Sequence, residues 1–485
     1  MIKEIIEKAK KEKKKVYIYA HKYPDGDAIS SCKATEEYLK SQGIEAQYVV
    51  TTPIRSYGPI VGQIPVTNQV DRNGISLILD TNTINYSENS LFKNSKPEDT
   101  YVIDHHGKAE DSVCIEDELG VPSQNVIRNP NASSVCELLV NEFGQENITP
   151  QIANMLTLGL LTDTAKLKFI KQDTLQNLSK LIEAGADYER IISFCNRKVR
   201  LQNEVGLAQE FLKSKTFPIG DTFGIMLSLD NKEVDNLSRK FGVRSPQKKI
   251  FKMTDIENCS FTCMSAENTP GEHALEFRST PIYGNFNVLS LAASHAGGGH
   301  HSASGCSMRG SQESIEAEIK QQVADLYSEQ AIGLPQITLS EQDKQLSNIL
   351  NSTERLTKGV TPETLERVDR LVKSGVNYEY VFKTFKSYKQ FMLENEVLSR
   401  IPSSTYTQRK PKVNIRLSPQ EIDTLRKKYG ASEEEILETI GAFSNIDIDS
   451  ATISLPNGKS THINYTGNIT KRDGATPRGS SGIAK

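Results

Sequence analysis

VYIYAHKYPDGDAISSCKATEEYLKSQG, residues 16–43, reads as a strand, a turn and a helix in immediate succession. VYIYAH (16–21) is apolar and rich in Val, Ile and Tyr, the composition of a strand covered on both faces. Pro24 and Gly26 shape a turn, and the pattern from Ala28 is helical until Gly43 stops it. The same grammar recurs: AQYVVT (46–51), SLILDT (76–81) and YVIDHH (101–106) read as further buried strands, with helical stretches between them. The expected fold class is therefore α/β, a doubly wound parallel sheet whose ligands gather beyond the carboxyl ends of its strands.

Four strings sit at such ends: HKYPDGDA (21–28), LILD (77–80), VIDHHGK (102–108) and LTDT (161–164), the last closing the helical segment ITPQIANMLTLGL. Ser133-Ser134 reads as the cap of another helix. Taken singly, HKYPDGDA reads equally as an Asp-rich turn with a buried, hydrogen-bonded His, VIDHHGK is similarly ambiguous, and LILD and LTDT carry almost no information. Together they bring His21, Asp25, Asp27, Asp80, Asp104, His105, His106 and Asp163 to one edge. Five carboxylates that close to one another raise each other's pKa or require cations. Oxygen ligands with some imidazole suit Mn²⁺ or Mg²⁺, and the lack of cysteines in these strings argues against structural zinc. Two such cations ~3.5–4 Å apart generate a hydroxide and clamp the oxygens of an in-line displacement at phosphorus. The chemistry expected is phosphate-ester hydrolysis.

The rest of the composition is permissive. With 485 residues, 37% hydrophobic and 25% charged, the chain has room for several domains and adequate cores. No apolar stretch of about 18 residues exists, so no membrane span is expected. The start, MIKEIIEKAKKEKKK, lacks the apolar core of a signal peptide and reads as an amphipathic helix. Seven scattered cysteines imply reduced thiols and a cytoplasmic location, Cys259 and Cys263 included as packing residues. A net charge of −3 argues against a surface built for general nucleic-acid binding.

Residues 1–190 make the first domain and 191–215 a helical linker. A smaller α+β domain follows at 216–330, containing LEFRS and NVLSLAASHAGGGHHSASG (287–305). Its GGGH reads as a turn that sets bare backbone N–H groups against an anion. DTLQNLSKLIEAGADYE (173–189) then lines up with ETLERVDRLVKSGVNYE (363–379), LQNEV (201–205) with LENEV (393–397), and KEVDNLSRKFG (232–242) with QEIDTLRKKYG (420–430). Three collinear matches point to a degenerate partial repeat at 338–465. The aligned region of this second copy reads NSTERL where the first has LTDT, and it has no GGGH, so its chemistry is expected to be lost. The tail at 466–485, rich in Gly, Ser, Thr and basic residues, is expected to be disordered.

From about residue 10 to about 310 this motif set resembles the DHH superfamily of phosphoesterases, in the branch whose DHH-associated C-terminal domain carries GGGH. That branch contains short-oligoribonucleotide hydrolases (nanoRNases), 3′-phosphoadenosine-5′-phosphate phosphatases and cyclic di-AMP phosphodiesterases. The resemblance implies two Mn²⁺ ions, with Mg²⁺ as the substitute. His21 and Asp25 would hold one ion, Asp27, His105 and Asp163 the other, and Asp80 would bridge them. It makes Asp104, His105 and His106 the catalytic motif, with Asp104 orienting His105 and His106 contacting phosphate. Arg278, Ser279, Gly298, Gly299 and His300 would hold the far end of the substrate, and Arg suits phosphate because its planar fork grips two oxygens. His301 falls at a variable position and has no assigned role. The implied partners are short single-stranded RNA or dinucleotides such as pApA, with a homodimer as a candidate assembly. A nucleotide-binding regulatory role for the C-terminal repeat is the reading from another class.

Overall fold

The strand foreseen in VYIYAH forms as β1 (Val16–Tyr19), buried at every residue. The computed structural model describes the chain apart from residues 55, 68, 85–95, 109–112, 197–198, 281–282, 284–285, 331–339, 384–385, 407, 409, 445, 465–468 and 473–485. Val16 and Ile18 enter one apolar cluster while Tyr17 and Tyr19 enter another, the period of two of a strand packed on both faces. Ahead of it lies α1 (Ile2–Glu12), whose Ile2, Ile5, Ile6 and Ala9 are buried at helical spacing. After it come α2 (Gly26–Ser41), β2 (Ala46–Tyr48), α3 (Gly58–Val61) and β3 (Ile75–Leu79). Then follow β4 (Thr100–Asp104), α4 (Ile115–Leu119), β5 (Val126–Arg128) and α5 (Val135–Phe143). The sheet is parallel throughout, in the order β2-β1-β3-β4-β5. The chain leaves β1 on one side and returns on the other, so β1 and β3 flank the switch point where a crevice opens.

Three helices close this region: α6 (Pro150–Asp163), α7 (Thr174–Glu183) and α8 (Tyr188–Cys195). The next stretch holds β6 (Val199–Arg200), α9 (Leu201–Phe211), β7 (Lys215–Ile219), β8 (Thr222–Leu229) and α10 (Asn231–Phe241). It continues with β9 (Cys259–Thr269), β10 (Glu272–Ser279), α11 (Val288–Ala293), β11 (Gly298–His300), β12 (Ala303–Arg309) and α12 (Gln312–Gln330). The GGGH stretch expected as a turn is mostly an edge strand, β11, in a six-stranded sheet ordered β11-β12-β10-β9-β8-β7.

Beyond it lie α13 (Glu341–Ser352), α14 (Pro362–Lys373), α15 (Tyr378–Phe382), α16 (Tyr388–Ser399) and α17 (Ser403–Tyr406). The chain ends its described part with β13 (Lys412–Arg416), α18 (Pro419–Tyr429), α19 (Glu433–Glu438), β14 (Ile446–Asp447), β15 (Ser450–Ser454), β16 (Ser460–Asn464) and β17 (Ile469–Arg472). The last strand corrects one expectation: part of the stretch from residue 466 pairs with β16 and completes a four-stranded sheet ordered β13-β15-β16-β17. Residues 473–485 lie outside the described residues.

Two compact units divide the chain: 1–196 with 337–383, and 197–336 with 384–485. The stretch at 338–465 is thus shared between them and does not stand as a body of its own. Within the first unit, α6 and α13 end in the same way. Thr164 Oγ1 bonds back to the Leu160 carbonyl and receives the Leu167 N–H; Thr353 Oγ1 does the same with Ile349 and Leu356. Three consecutive left-handed residues follow each helix, Ala165-Lys166-Leu167 and Glu354-Arg355-Leu356. Such a run is costly for L-residues, so its recurrence marks one architecture used twice. The aligned end of α13, Leu350-Asn351-Ser352-Thr353, therefore does have the shape of LTDT, with Ser352 where Asp163 stands. The two copies bind each other reciprocally: Tyr188 Oη donates to the Leu356 carbonyl (2.6 Å) and Tyr378 Oη to the Leu167 carbonyl (2.8 Å).

The second unit repeats a pattern as well. In both sheets a strand, a capped helix and a parallel strand are followed by two antiparallel strands: β8-α10-β9-β10-β12 and β13-α18-β15-β16-β17. Asp230/Glu233 and Ser418/Glu421 form capping boxes on the two helices, and left-handed Gly242 and Gly430 end them. α9 and α16 pack together, with Phe211 and Phe391 ring centres 5.5 Å apart. Among the described residues no helix is long and apolar enough to cross a membrane, and all seven cysteines are free thiols.

Candidate metal centre

Each candidate ligand is aimed by the element it terminates. Asp25 is the N-cap of α2, its Oδ1 accepting the Asp27 and Ala28 N–H groups at 3.0 and 3.1 Å. Asp27 is fully buried, and its two oxygens accept the Val135 and Cys136 N–H groups at 2.7 and 3.0 Å, where α5 begins. A helix N-terminus is a natural seat for a carboxylate. Asp80 follows β3 in a left-handed conformation (φ 52°), which Asp tolerates better than most residues. His21 follows β1, Asp104 ends β4, and Asp163 ends α6.

These groups converge. His21 Nε2 lies 3.7 Å from Asp80 Oδ2, and His105 Nε2 lies 3.6 Å from Asp80 Oδ1 and 3.1 Å from Asp163 Oδ2. Within the first unit, three sets bring ligand atoms within 4.8 Å of one another: His21/Asp25/Asp80, Asp27/Asp80/His105 and Asp80/Asp104/His106. Asp80 belongs to all three.

Asp104 departs from its expected role. Its Oδ1 holds His106 Nδ1 at 2.7 Å and reaches only the backbone N–H of His105, whose ring nitrogen Nδ1 faces the Ala132 carbonyl at 3.4 Å. Asp104 therefore orients His106. Arg128, at the end of β5, completes the arrangement: it holds Asp104 Oδ2, pairs with Glu116, and donates to Asn82 Oδ1 and the His106 carbonyl at 3.1 Å each. Sequence reading passed over Arg128 because IRNPN carries no acidic or imidazole signal. Its position at a strand's carboxyl end was the available clue.

Charge follows from this crowding. Burial, then the neighbouring carboxylates, drives Asp80 and Asp163 well above the ordinary carboxylate range, and burial pushes Asp27 up to about 6. Burial lowers His105 to about 4 and also lowers His21. Burial opposes ionisation of Asp104 too, but the His106 hydrogen bond and the charges of His106, Arg128 and His105 hold it low. Asp80 Oδ1 is buried and accepts no hydrogen bond. A buried carboxylate oxygen without a donor, facing imidazoles and further carboxylates, fits a divalent cation. His21, Asp25, Asp27, Asp80, His105 and Asp163 are the residues that would hold such ions, and the oxygen-rich donor set suits Mn²⁺ or Mg²⁺.

In the second unit, Arg278 on β10 and His300 on β11 both pair with Ala303 of β12. They therefore stand on one sheet face, two strand spacings or about 10 Å apart. Gly299 sits beside them at φ 137°, where a Cβ would come within 2.5 Å of the Ala303 carbonyl. Gly298 pairs with Gly305, and at Gly297 a Cβ would meet that glycine's carbonyl at 2.3 Å. Ser279 does not join them. One residue on from Arg278, its side chain points to the opposite face, beside Phe277, with its hydroxyl buried.

A cation-ready nest at the switch point of a doubly wound parallel sheet suits metal-assisted hydrolysis of phosphate esters. Residues 15–160 match the DHH family, N-terminal domain. Among solved structures, an exopolyphosphatase-related protein from Bacteroides fragilis is 21% identical, covering 67% of this chain and 97% of its own, with a TM-score of 0.54. The pGpG-specific phosphodiesterase PggH from Vibrio cholerae is 13% identical over 65% of this chain and 99% of its own, with a TM-score of 0.33. RecJ from Thermus thermophilus, in complex with Mn²⁺, is 12% identical over 74% of this chain and 60% of its own, with a TM-score of 0.35. No curated protein matches the chain.

Proposed function

We propose that this phosphoester hydrolase cleaves short oligoribonucleotides or dinucleotides such as pApA to mononucleotides, using two Mn²⁺ ions. One observation carries the reading: Asp80, with a buried oxygen lacking any hydrogen-bond donor, is shared by three convergent ligand sets. Bound cations would supply a nucleophilic hydroxide and polarise the oxygens on phosphorus. The chain's own residues do the rest. Asp25 and Asp27 are pre-aimed by helix N-termini, and Asp104 and Arg128 fix His106 for a substrate oxygen. In the second unit, Arg278 and His300 share a face suited to a distal phosphate. That face favours a nucleotide over pyrophosphate. 3′-Phosphoadenosine-5′-phosphate and cyclic di-AMP remain the alternative substrates.

The test is a hydrolysis panel with Mn²⁺ containing pApA, longer oligomers, 3′-phosphoadenosine-5′-phosphate, cyclic di-AMP and pyrophosphate. Asp80→Asn suits it because Asn also tolerates the left-handed backbone at this position. The expected result is fastest turnover of the dinucleotide by the wild type, and a loss of at least about a hundredfold in the variant, as for a lost metal ligand. Undiminished Mn²⁺-dependent turnover by the variant would end the metal assignment. Pyrophosphate as the preferred substrate would end the nucleotide assignment.

A further inference from the structure

The second copy in the first unit keeps the shape of the first and, along one groove, replaces an acid by a hydroxyl and an amide by a guanidinium. α6 and α7 pack beneath α2 and α5, so Leu156, Gly159, Leu160 and Asn177 are buried. Gly159 is the point of closest approach, where a Cβ would come within 2.3 Å of Cys136 Sγ and 2.9 Å of Asp27 Oδ1. Aligned on the left-handed triplets and on Tyr188/Tyr378, these positions and Asp163 become Gln345, Asn348, Ile349, Arg367 and Ser352. Lys180 becomes Arg370 and Leu181 becomes Leu371. The result is a groove of about 590 Å³ lined by Gln345, Asn348, Ile349, Ser352, Arg367, Arg370 and Leu371.

Among the described residues, no acid lines this groove, and neither the Arg367 nor the Arg370 guanidinium has an ion-pair or hydrogen-bond partner. A surface that had merely lost its cover would need polarity, which Gln345 and Asn348 supply. It would not need two guanidinium groups on successive turns that face into the groove without pairing to Glu363 and Glu366, the acids one turn before them on the same helix. Where the first copy has Asp163, Asn177 and Lys180, the second has Ser352, Arg367 and Arg370, so an acid is lost and a second cation is added to one already there. The volume lies in the range of small-molecule sites, and Ile349 and Leu371 add an apolar strip beside the amides.

We propose that the groove between α13 and α14 binds a mononucleotide-sized phosphate ester, with Arg367 and Arg370 on the phosphate and Gln345 and Asn348 on the base edge. The inference is independent of hydrolysis at Asp80, because it rests on residues outside that site.

Full-length protein is titrated calorimetrically with AMP, adenosine and inorganic phosphate in EDTA at low salt, which suppresses binding through cations at the other site and limits screening. Saturable AMP binding is expected, with adenosine and phosphate each at least about tenfold weaker. Arg367→Ala/Arg370→Ala should weaken AMP by about tenfold or more while melting at the wild-type temperature, and Asp80→Asn should bind AMP as the wild type does. Equal AMP affinity in the arginine variant, or no saturable AMP binding at millimolar concentration, would overturn the proposal. Phosphate binding as tightly as AMP would overturn it too, by reducing the groove to a simple anion patch. Arg367→Lys/Arg370→Lys keeps the charge without the fork and should retain part of the affinity, a split that a purely structural defect would not give.

Discussion

Arg128 is the residue on which the precision of the centre depends most. It spans from the end of β5 to Asp104, Glu116, Asn82 and the His106 carbonyl, and Asp104 is fully buried beneath it. Removing a cation from a buried, hydrogen-bonded pair costs about 3–5 kcal/mol, because the remaining charge has no partner. Arg128→Ala is expected to lower stability by that order in chemical denaturation and to release the His106 ring, detected as a changed imidazole NMR signal. Gly159 sets a second limit at this scale. With Cys136 Sγ and Asp27 Oδ1 already in the way, Gly159→Ala should destabilise by ~1–3 kcal/mol and weaken divalent-cation affinity by displacing Asp27. Melting with and without Mn²⁺ separates the two effects. The convergence of the six candidate ligands was legible in the sequence because each of the strings that carry them follows a strongly apolar run. Arg128 was not, since β5 is short and only half-buried. The partner of Asp104 was misread for a related reason: adjacent histidines point different ways, and spacing alone does not say which ring a preceding carboxylate will hold.

At the scale of elements, the reciprocal tyrosines tie two helical layers together. Tyr188 and Tyr378 are both buried, and each donates to a carbonyl that closes the other copy's left-handed turn. Tyr188→Phe and Tyr378→Phe should each cost about 0.5–1.5 kcal/mol, as expected for one buried hydrogen bond. Nearly equal losses in a denaturant titration are the expected outcome; a large inequality would mean that the two turns are not energetically equivalent. Strands β1 to β4 were readable because a parallel sheet demands continuous apolar runs. β5, β11 and β17 were not. The first is short, the second is nearly all glycine, and the third is an exposed edge in a polar tail, so none carries the composition that announces a strand. Left-handed triplets have no sequence signature at all: Ala165-Lys166-Leu167 and Glu354-Arg355-Leu356 share only their final leucine.

For the whole molecule, the C-terminal stretch is part of the core of each unit. Leu346, Leu350, Leu365, Val368 and Tyr378 belong to the same apolar cluster as Leu175, Leu178 and Tyr188. In the other unit Phe391, Leu393 and Val397 join Leu201, Val205 and Phe211. Each buried side chain of this kind contributes about 1.5–3 kcal/mol, so losing five from one unit and three from the other removes from each an amount comparable to a typical domain's net stability of ~5–15 kcal/mol. Truncation at residue 335 is therefore expected to yield insoluble or molten protein, scored by soluble yield and near-UV circular dichroism. A well-folded truncated chain with wild-type melting would contradict that packing. The repeat was visible in three collinear sequence matches. Its division between two compact units was not, because sequence similarity records which elements recur and not which core each one joins.

The mutual grip of Tyr188 and Tyr378 has an evolutionary corollary. Between two identical subunits, any replacement at such a seam strikes both sides at once, so neither side can specialise. Written into a single polypeptide, the seam becomes two independently heritable addresses. One side is then free to carry Ser352 in place of Asp163 and Arg367 in place of Asn177, while the other keeps its acids.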